Sequence, residues 1–311
     1  MSAQRAAIAA LLAQLRRHDY AFVTPTPATH ARVMARRGDA PARDLRDVFG
    51  WSLPFTPHVL PGSLLRTLED GGFLEQHGEH LRSLVRVSSL DSDLFVHSAF
   101  PTMQQDSVFF GPDSYRFARF LHQTIPALGA RNAVIDIGTG AGVGAVSAAR
   151  ALAAALPLRI AMTDINPRAL EYARANWAFA GINGDSSFHL CDSLSAVGGE
   201  PDLIIANPPY MADPAHRAYR DGGGELGARL SVRWAQDAAQ RLSKGGAFVL
   251  YSGSAVIGGE HVLRAPLLAA LEGFDVRYSE LDPDVLGEEL EREEYAEVER
   301  IAVVGVVAIK R

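Results

Sequence analysis

The chain has little cysteine: one residue, Cys191, in 311. That excludes an internal disulfide framework and any zinc site built on several thiolates. Long apolar runs are missing too, so no membrane span is expected. The Ala- and Leu-rich start has Gln and Arg inside it and reads as an amphipathic helix. No signal peptide is apparent, and a reducing cytoplasm is the expected compartment. Basic charge is also short, with 30 Lys+Arg against 36 Asp+Glu and a net of −6. This gives no broad basic face for nucleic acid, although a local one is compatible with it. The balance is uneven: residues 1–100 hold 11 basic and 10 acidic residues, and the remainder carries the negative charge. His77 and His80 lie close together without a cysteine or third ligand at finger spacing. They are expected at the surface, and no metal site is expected.

What is present is a globular composition, 48% hydrophobic and 21% charged, in a chain long enough for two domains. Apolar spacing predicts a helix over residues 2–17, with Ile8, Leu11, Leu12 and Leu15 on one face. Thr24-Pro25-Thr26-Pro27 ends that segment. Short helices are expected near 28–37, 43–49 and 61–68, then paired strands around His77-Gly78-Glu79 and at 84–87 and 94–97. Helices followed by a β-hairpin outline a small winged-helix-like α+β domain over residues 1–104. Such modules meet nucleic acid or other proteins, and the near-zero charge here favours the second. Residues 100–111 read as a linker, and Pro112 and Asp113 as the start of a helix.

From there strands and helices alternate. Apolar strands are expected at 133–137, 159–164, 187–192, 202–206 and 247–251, with two more at 274–279 and 301–309. Helices are expected between them: one through Ala155, then 167–180, 228–242 and 261–271. This alternation means a mostly parallel sheet with helices on both faces, spanning residues 105–311. Ligands of such sheets sit beyond the carboxyl ends of the strands. Asp136 and Gly138, Asp164, Asp192 and Asn207 all fall at those ends.

Two stretches carry chemistry. Gly138-Thr139-Gly140-Ala141-Gly142 lets backbone approach a ligand closely and turn into a helix. Alone it fits a dinucleotide site equally well. Asp164, 26 residues after Gly138, is placed to accept ribose hydroxyls, and Asp192 to hold an adenine amino group. Both also fit helix N-caps at strand–helix junctions. The second stretch is Asn207-Pro208-Pro209-Tyr210, closing the apolar run 202–206. The Asn207 side chain and the Pro208 carbonyl offer two acceptors on stiff, extended backbone. Two acceptors holding the hydrogens of a planar NH2 group leave its lone pair facing outward, toward an in-line electrophile. Pro209 stiffens the loop, and the Tyr210 ring suits stacking on a flat amide or base.

Asp136-Ile137-Gly138-Thr139-Gly140-Ala141-Gly142, Asp164-Ile165-Asn166-Pro167, the Ala173-Arg174-Ala175-Asn176 helix and Asn207-Pro208-Pro209-Tyr210 resemble class I S-adenosylmethionine-dependent methyltransferases. Within them the chain is similar to the small-domain N-methyltransferases that modify the glutamine amide of peptide-chain release factors. The resemblance covers about 105–311. It implies a seven-stranded, mostly parallel Rossmann-like sheet with a reversed last strand. It implies S-adenosylmethionine as cofactor, over Gly138–Gly142 with its ribose on Asp164. The cofactor set it implies here is Asp136, Gly138, Thr139, Gly140, Ala141, Gly142, Asp164, Ile165, Asp192, Ser193 and Asn207. Asn207, Pro208, Pro209 and Tyr210 are its implied catalytic set. The first hundred residues and the segment Phe110-Gly111-Pro112-Asp113-Ser114-Tyr115 depart from the release-factor enzymes. The acceptors in play are therefore a protein glutamine, first, and a nucleobase amino group or a small molecule as alternatives. A non-catalytic binding module is a further alternative, against which the intact tetrapeptide speaks.

Two segments flank this core. Arg220-Asp221-Gly222-Gly223-Gly224-Glu225 is either a lid hinge or a plain turn before the 228–242 helix. Residues 282–299 hold nine acids, read as a solvated acidic helix or as a steering surface for a basic partner. The oligomeric state is not legible.

Overall fold

The computed structural model describes residues 3–38, 40–152, 157–213, 217 and 219–311. In chain order the helices are α1 (Ala3–Arg17), α2 (Pro27–Arg37), α3 (Leu45–Phe49), α4 (Gly62–Asp70), α5 (Pro112–Thr124), α6 (Val143–Ala151), α7 (Pro167–Ala180), α8 (Arg229–Arg241) and α9 (Arg264–Ala270). The strands are β1 (Leu74–His77), β2 (His80–Ser83), β3 (Val85–Leu90), β4 (Asp93–Ser98), β5 (Ala133–Ile137), β6 (Arg159–Asp164), β7 (Asp185–Leu190), β8 (Leu203–Ala206), β9 (Ala247–Ile257), β10 (Glu260–His261), β11 (Phe274–Asp282) and β12 (Arg300–Lys310). Ser2, at the start of the first expected helix, and Ala155, at the end of the Ala-rich one, lie outside the described residues.

The central sheet runs β11-β12-β9-β8-β5-β6-β7, with the two-residue β10 folded back on β9 as an eighth strand. β5 to β9 pair in parallel, and β12 runs antiparallel between β9 and β11. Side chains alternate across the strands, so each strand supplies two cores. Val134, Met162, Ile205, Val249 and Val303 face one side, where α5, α6 and α7 pack. Ile135, Ala161, Ile204, Leu250 and Val304 face the other, against Trp234 and Ala238 of α8 and Leu267 of α9.

The N-terminal elements extend the first of these cores. Ile8, Leu11, Leu12 and Leu15 of α1 are fully buried in the cluster that includes Val134 and Met162. α4 leads into the β1–β2 hairpin, whose tip carries Gly78 at φ 61°, and Phe55 adds an antiparallel bridge to Leu81. The second hairpin, β3–β4, turns toward the sheet domain instead. Residues 100–111 close its outer edge at Ser98, whose N–H donates to Val108 O at 3.1 Å, and one side chain closes it at Val96. The buried Asn176 of α7 accepts from Val96 N at 2.9 Å and donates to Val96 O at 3.0 Å and to Ala141 O at 2.8 Å. It satisfies a strand edge as a neighbouring strand would, and ties that edge to the glycine loop. Arg150 with Asp93 at 3.0 Å, and Tyr115 Oη with Thr24 N at 3.0 Å, add further ties. Residues 100–111, expected as a linker, form a packed strap: Phe110 stacks on His97 with centroids 5.1 Å apart.

The acidic segment is not a solvated helix. It makes two short 3₁₀ turns, Gly287–Glu291 and Glu293–Tyr295. Glu289 and Tyr295 point inward and are buried. A charged side chain enters the interior only with partners, and Glu289 has two, Arg220 and Arg292.

Asn176→Ala strands three backbone groups. The expected loss is about 2–4 kcal/mol of folding stability, read from the urea midpoint, from the usual cost of unsatisfied buried groups.

Candidate active site

The glycine loop leaves β5 with Gly138, Gly140 and Gly142 at φ 64°, 54° and 84°. L side chains rarely adopt that region, so the turn depends on glycine. Gly138 also lacks room: a Cβ there would lie 2.4 Å from Cη2 of Trp234. Thr139 N donates to Thr163 O at 2.8 Å, and Gly140 N to Asp164 Oδ2 at 2.9 Å, which fastens the loop to the end of β6.

Asp136 lies beneath the loop, 2% exposed. Its Oδ2 accepts from Thr139 Oγ1 at 2.6 Å and from Ala145 N at 2.9 Å. Burial pushes its carboxyl up to about 7, against those two hydrogen bonds. Asp136 therefore braces the loop from inside.

Asp164 is only half-buried. Its Oδ1 accepts from Asn166 N at 2.8 Å and its Oδ2 from Gly140 N. Burial raises its carboxyl above the usual range, and these backbone donors offset part of that rise. Two oxygens carry about four lone-pair sites. Capacity remains for a hydroxyl of a ligand. The cap of α7 is Asn166, which accepts from Arg168 N, so Asp164 is not engaged in capping. Next to it, Ile165 is 55% exposed at the same strand end.

Asp192 stands two residues beyond the end of β7, with its side chain 63% exposed and 3.2 Å from Arg233 Nη2. Its backbone oxygen accepts from Trp234 Nε1 at 3.1 Å. Ser193 is buried and donates to Asp237. Both line a surface cleft of about 530 Å³ with Arg233, Asp237 and Arg241. The structure thus brings Asp192 to the expected end of the sheet while pairing its carboxylate with Arg233.

Asn207 leaves β8 level with Gly138. Ala206 and Ile137 are register partners on adjacent parallel strands, so the next residues of both chains emerge side by side. No described residue forms a hydrogen bond with the Asn207 amide or the Pro208 carbonyl. Pro208 is buried and Pro209 half-buried. Tyr210 corrects the sequence reading. Its ring is 7% exposed and lies so close to Gly253 that a Cβ there would be 2.1 Å from Tyr210 Cδ2. Its hydroxyl donates to Asp113 Oδ2 at 2.6 Å. The ring is packed as part of the wall and is not presented as a free stacking face.

The glycine-rich stretch after the tetrapeptide is a turn packed against it. Met211 N donates to Arg220 O at 3.1 Å, and Gly222 N to Met211 O at 2.9 Å. A Cβ on Gly222 would lie 2.1 Å from Gly227 O and 2.7 Å from Pro209 O, so close approach requires glycine there. Behind it Asp213 is buried, and the hydrogen bond from Arg217 holds its carboxyl down at about 2. Arg220 bridges to Glu289, and Tyr295 Oη accepts from Ala212 N at 2.9 Å. The acidic segment therefore buttresses this loop.

The sequence reading missed the strap's role. Tyr219 Oη donates to Thr102 O at 2.6 Å, and its ring stacks on Phe109 with centroids 6.1 Å apart. On the other side Asn166 Nδ2 donates to Asp106 O at 2.8 Å, and Arg168 pairs with Asp106 at 2.7 Å. Residues 102–113 thus span from the end of β6 to the tetrapeptide. Asp113 was legible only as a helix start, and nothing in sequence spacing links it to Tyr210.

These residues fit S-adenosylmethionine. Nothing lies within 4 Å of a Cβ placed on Gly140, Asp164 keeps free acceptor capacity, and Ile165 offers an apolar surface beside it. Among the described residues no cluster of His, Cys, Asp and Glu could hold a metal ion, and no helix is long and apolar enough to cross a membrane.

The raised Asp136 carboxyl has a thermodynamic consequence. Between its ordinary value of 3.8 and about 7 the folded protein holds a proton that the unfolded chain has released. Asp136 therefore costs no stability below that window and costs more as pH rises through it, up to roughly 4 kcal/mol at about 1.36 kcal/mol per unit. Asp136→Asn is expected to melt ever higher relative to wild type as pH rises from 4 to 8, with the gap closing in acid. A gap that does not change with pH rejects the assignment.

The methyltransferase small domain model matches residues 103–265, more than half of the chain. The release factor glutamine methyltransferase of Koribacter versatilis is 32% identical over 136 residues, which cover 40% of this chain and 47% of that protein. That of Deinococcus radiodurans is 34% identical over 167 residues, covering 50% and 55%. The chain thus aligns with about half the length of these curated relatives. A SAM-dependent methyltransferase structure from Agrobacterium tumefaciens aligns with TM-score 0.49 and 17% identity, over 76% of this chain and 71% of that one. The family model spans the glycine loop, Asp164 and Asn207, and the chain belongs to the methyltransferase small domain family, and with it to the S-adenosylmethionine-dependent methyltransferases.

Proposed function

We propose that this chain methylates a planar amide or amino nitrogen, and that the acceptor is a glutamine side chain of a protein, as in the release-factor enzymes. The observation that carries the reading is the position of Asn207. Its amide has no partner among the described residues, and it leaves β8 beside the loop that leaves β5. Adjacent strands lie about 4.8 Å apart, so an acceptor held on Asn207 sits next to whatever the glycine loop holds.

S-adenosylmethionine, when bound, supplies a methyl group made electrophilic by its sulfonium. The chain's own residues do the rest. Asn207 Oδ1 and the Pro208 carbonyl accept the two N–H groups of the acceptor and turn its lone pair outward. Pro208 and Pro209 hold both acceptors in extended backbone, so little entropy is lost when the substrate arrives. Asp164 would hold the cofactor's ribose and the Gly138–Gly142 backbone would take its side of the ligand, while Asp136 keeps that loop in shape. The new N–C bond would form as the sulfonium S–C bond breaks, its electron pair staying on sulfur as a neutral thioether, while the acceptor nitrogen releases one proton to water.

The release factor glutamine methyltransferases among the curated relatives support a protein glutamine. The charge of the N-terminal module supports the same choice. On α4 and the β1–β2 hairpin, Arg66 and Arg82 are matched by Glu69, Asp70, Glu75 and Glu79. A strip of that composition does not follow a phosphate backbone. We propose residues 1–104 as a winged-helix-like protein-contact domain on a methyltransferase domain of residues 105–311.

The test is transfer of labelled methyl from S-adenosylmethionine into cell extract, followed by parallel protease and nuclease digestion. Label lost to protease, and recovered as methylglutamine, supports the proposal. Label lost to nuclease replaces it with a nucleobase enzyme. Asn207→Ala is expected to lower turnover about 100-fold or more, because the orienting acceptor is gone, while cofactor affinity stays within about 3-fold. Asp164→Ala should do the reverse and weaken cofactor binding about 10- to 100-fold by calorimetry, as lost charge-assisted hydrogen bonds do.

A further inference from the structure

We infer that Asp113 is a positioning residue for the reaction: its carboxylate clamps Tyr210 and so fixes the loop that carries Asn207 and Pro208. The inference rests on the reading of Asn207 given above and adds a residue which that reading does not contain.

The geometry is specific. Asp113 Oδ2 accepts from Tyr210 Oη at 2.6 Å, and Asp113 Oδ1 from Tyr251 Oη at 3.0 Å. One carboxylate thus binds two phenols, one from the tetrapeptide and one from the middle of β9. Arg116, one turn along α5, sits 3.3 Å from Asp113 Oδ1 and 3.1 Å from Asp282. Asp113 lies in the first turn of α5, where the helix dipole favours a negative charge. A carboxylate in that place, beside Arg116, accepts from both hydroxyls at once. Burial and the Asp113 charge raise both phenols well above the ordinary tyrosine range, so they stay protonated donors.

The consequence falls on the loop. Pro208 and Pro209 have no N–H, so half of this four-residue stretch offers no backbone donor to hold it. The next hydrogen bond along the chain is Met211 N to Arg220 O. Between Ala206 and Met211 the side chain of Tyr210 is the anchor, wedged on Gly253 and tied to Asp113. Displacing that anchor by about 1 Å would misplace the two acceptors, an error that costs orders of magnitude in rate elsewhere. Because α5 opens directly from the strap that contacts Asn166 and Tyr219, the clamp also fixes where the strap ends.

The experiment compares Asp113→Ala, Asp113→Asn, Tyr210→Phe and the Asp113→Ala/Tyr210→Phe pair in the full chain. Three readouts are taken: methyl transfer, cofactor affinity, and hydrogen exchange of the amides of Tyr210 to Asp213. We expect Asp113→Ala and Tyr210→Phe each to lower kcat about 10- to 50-fold through mispositioning, with cofactor affinity within about 2-fold. Asp113→Asn, which still accepts from one phenol, should fall between. The double variant should lose no more than the worse single one, since both changes break the same link. Amides 210–213 should exchange about 10-fold faster or more in Asp113→Ala. Wild-type turnover in Tyr210→Phe, losses that multiply in the double variant, or unchanged exchange at 210–213 would overturn the clamp. Tyr210→Phe carries the test if Asp113→Ala does not fold. The exchange readout needs no acceptor, so it judges the clamp even where transfer to protein fails and the proposed substrate falls.

Discussion

The parallel register between β5 and β8 is the constraint on which the rest of the structure depends. Ile137 pairs with Ala206, and the backbone hydrogen bonds that enforce this are spaced evenly along both strands. A slip of one residue would turn every buried side chain to the opposite face, setting Ile135 and Ile204 against the wrong helices. The two cores pin the register, and the register places the glycine loop and Asn207 at one level. The glycine loop and the Asn207 loop meet because the hydrophobic side chains of the strands leading into them alternate correctly.

Around that junction the chain fixes backbone with side-chain polar groups. Asn176 closes the edge of β4 and reaches the glycine loop through Ala141. Asp136 braces the same loop from below, and Asp164 from the side. Asp113 and Glu289 hold the acceptor loop from two directions, through Tyr210 and Arg220. Each of these groups is buried or half-buried, where an unmatched polar atom is costly and a matched one is stiff. The N-terminal elements take part in the same economy of contacts, since α1 and the β3–β4 hairpin lie in one continuous core with α7.

How much was legible follows from range. Gly138, Gly140 and Gly142 were readable because the turn needs positive φ within five residues, and only glycine supplies it cheaply. Asp164 and Asn207 were readable because they end apolar runs of strand length. Tyr210 was placed correctly but given the wrong posture, because its packing on Gly253 and its bond to Asp113 come from residues far along the chain. The acidic segment was misread as a helix because charge spacing says nothing about Arg220, which draws Glu289 inward. Sequence offers Asp192 an adenine amino group or a helix N-cap, and gives no sign of Arg233 on α8, which stands beside it.

By itself the sequence determined the alternation of strands and helices, the glycine turn and the two proline-stiffened acceptors. These are local matters of steric preference and hydrophobic period, settled within a few residues. Tertiary structure alone decided which carboxylate meets which phenol, where the strap crosses, and that among the described residues the Asn207 amide has no partner while the Tyr210 hydroxyl has one. Those outcomes depend on how separate elements stack, and stacking joins residues whose distance along the chain carries no signal.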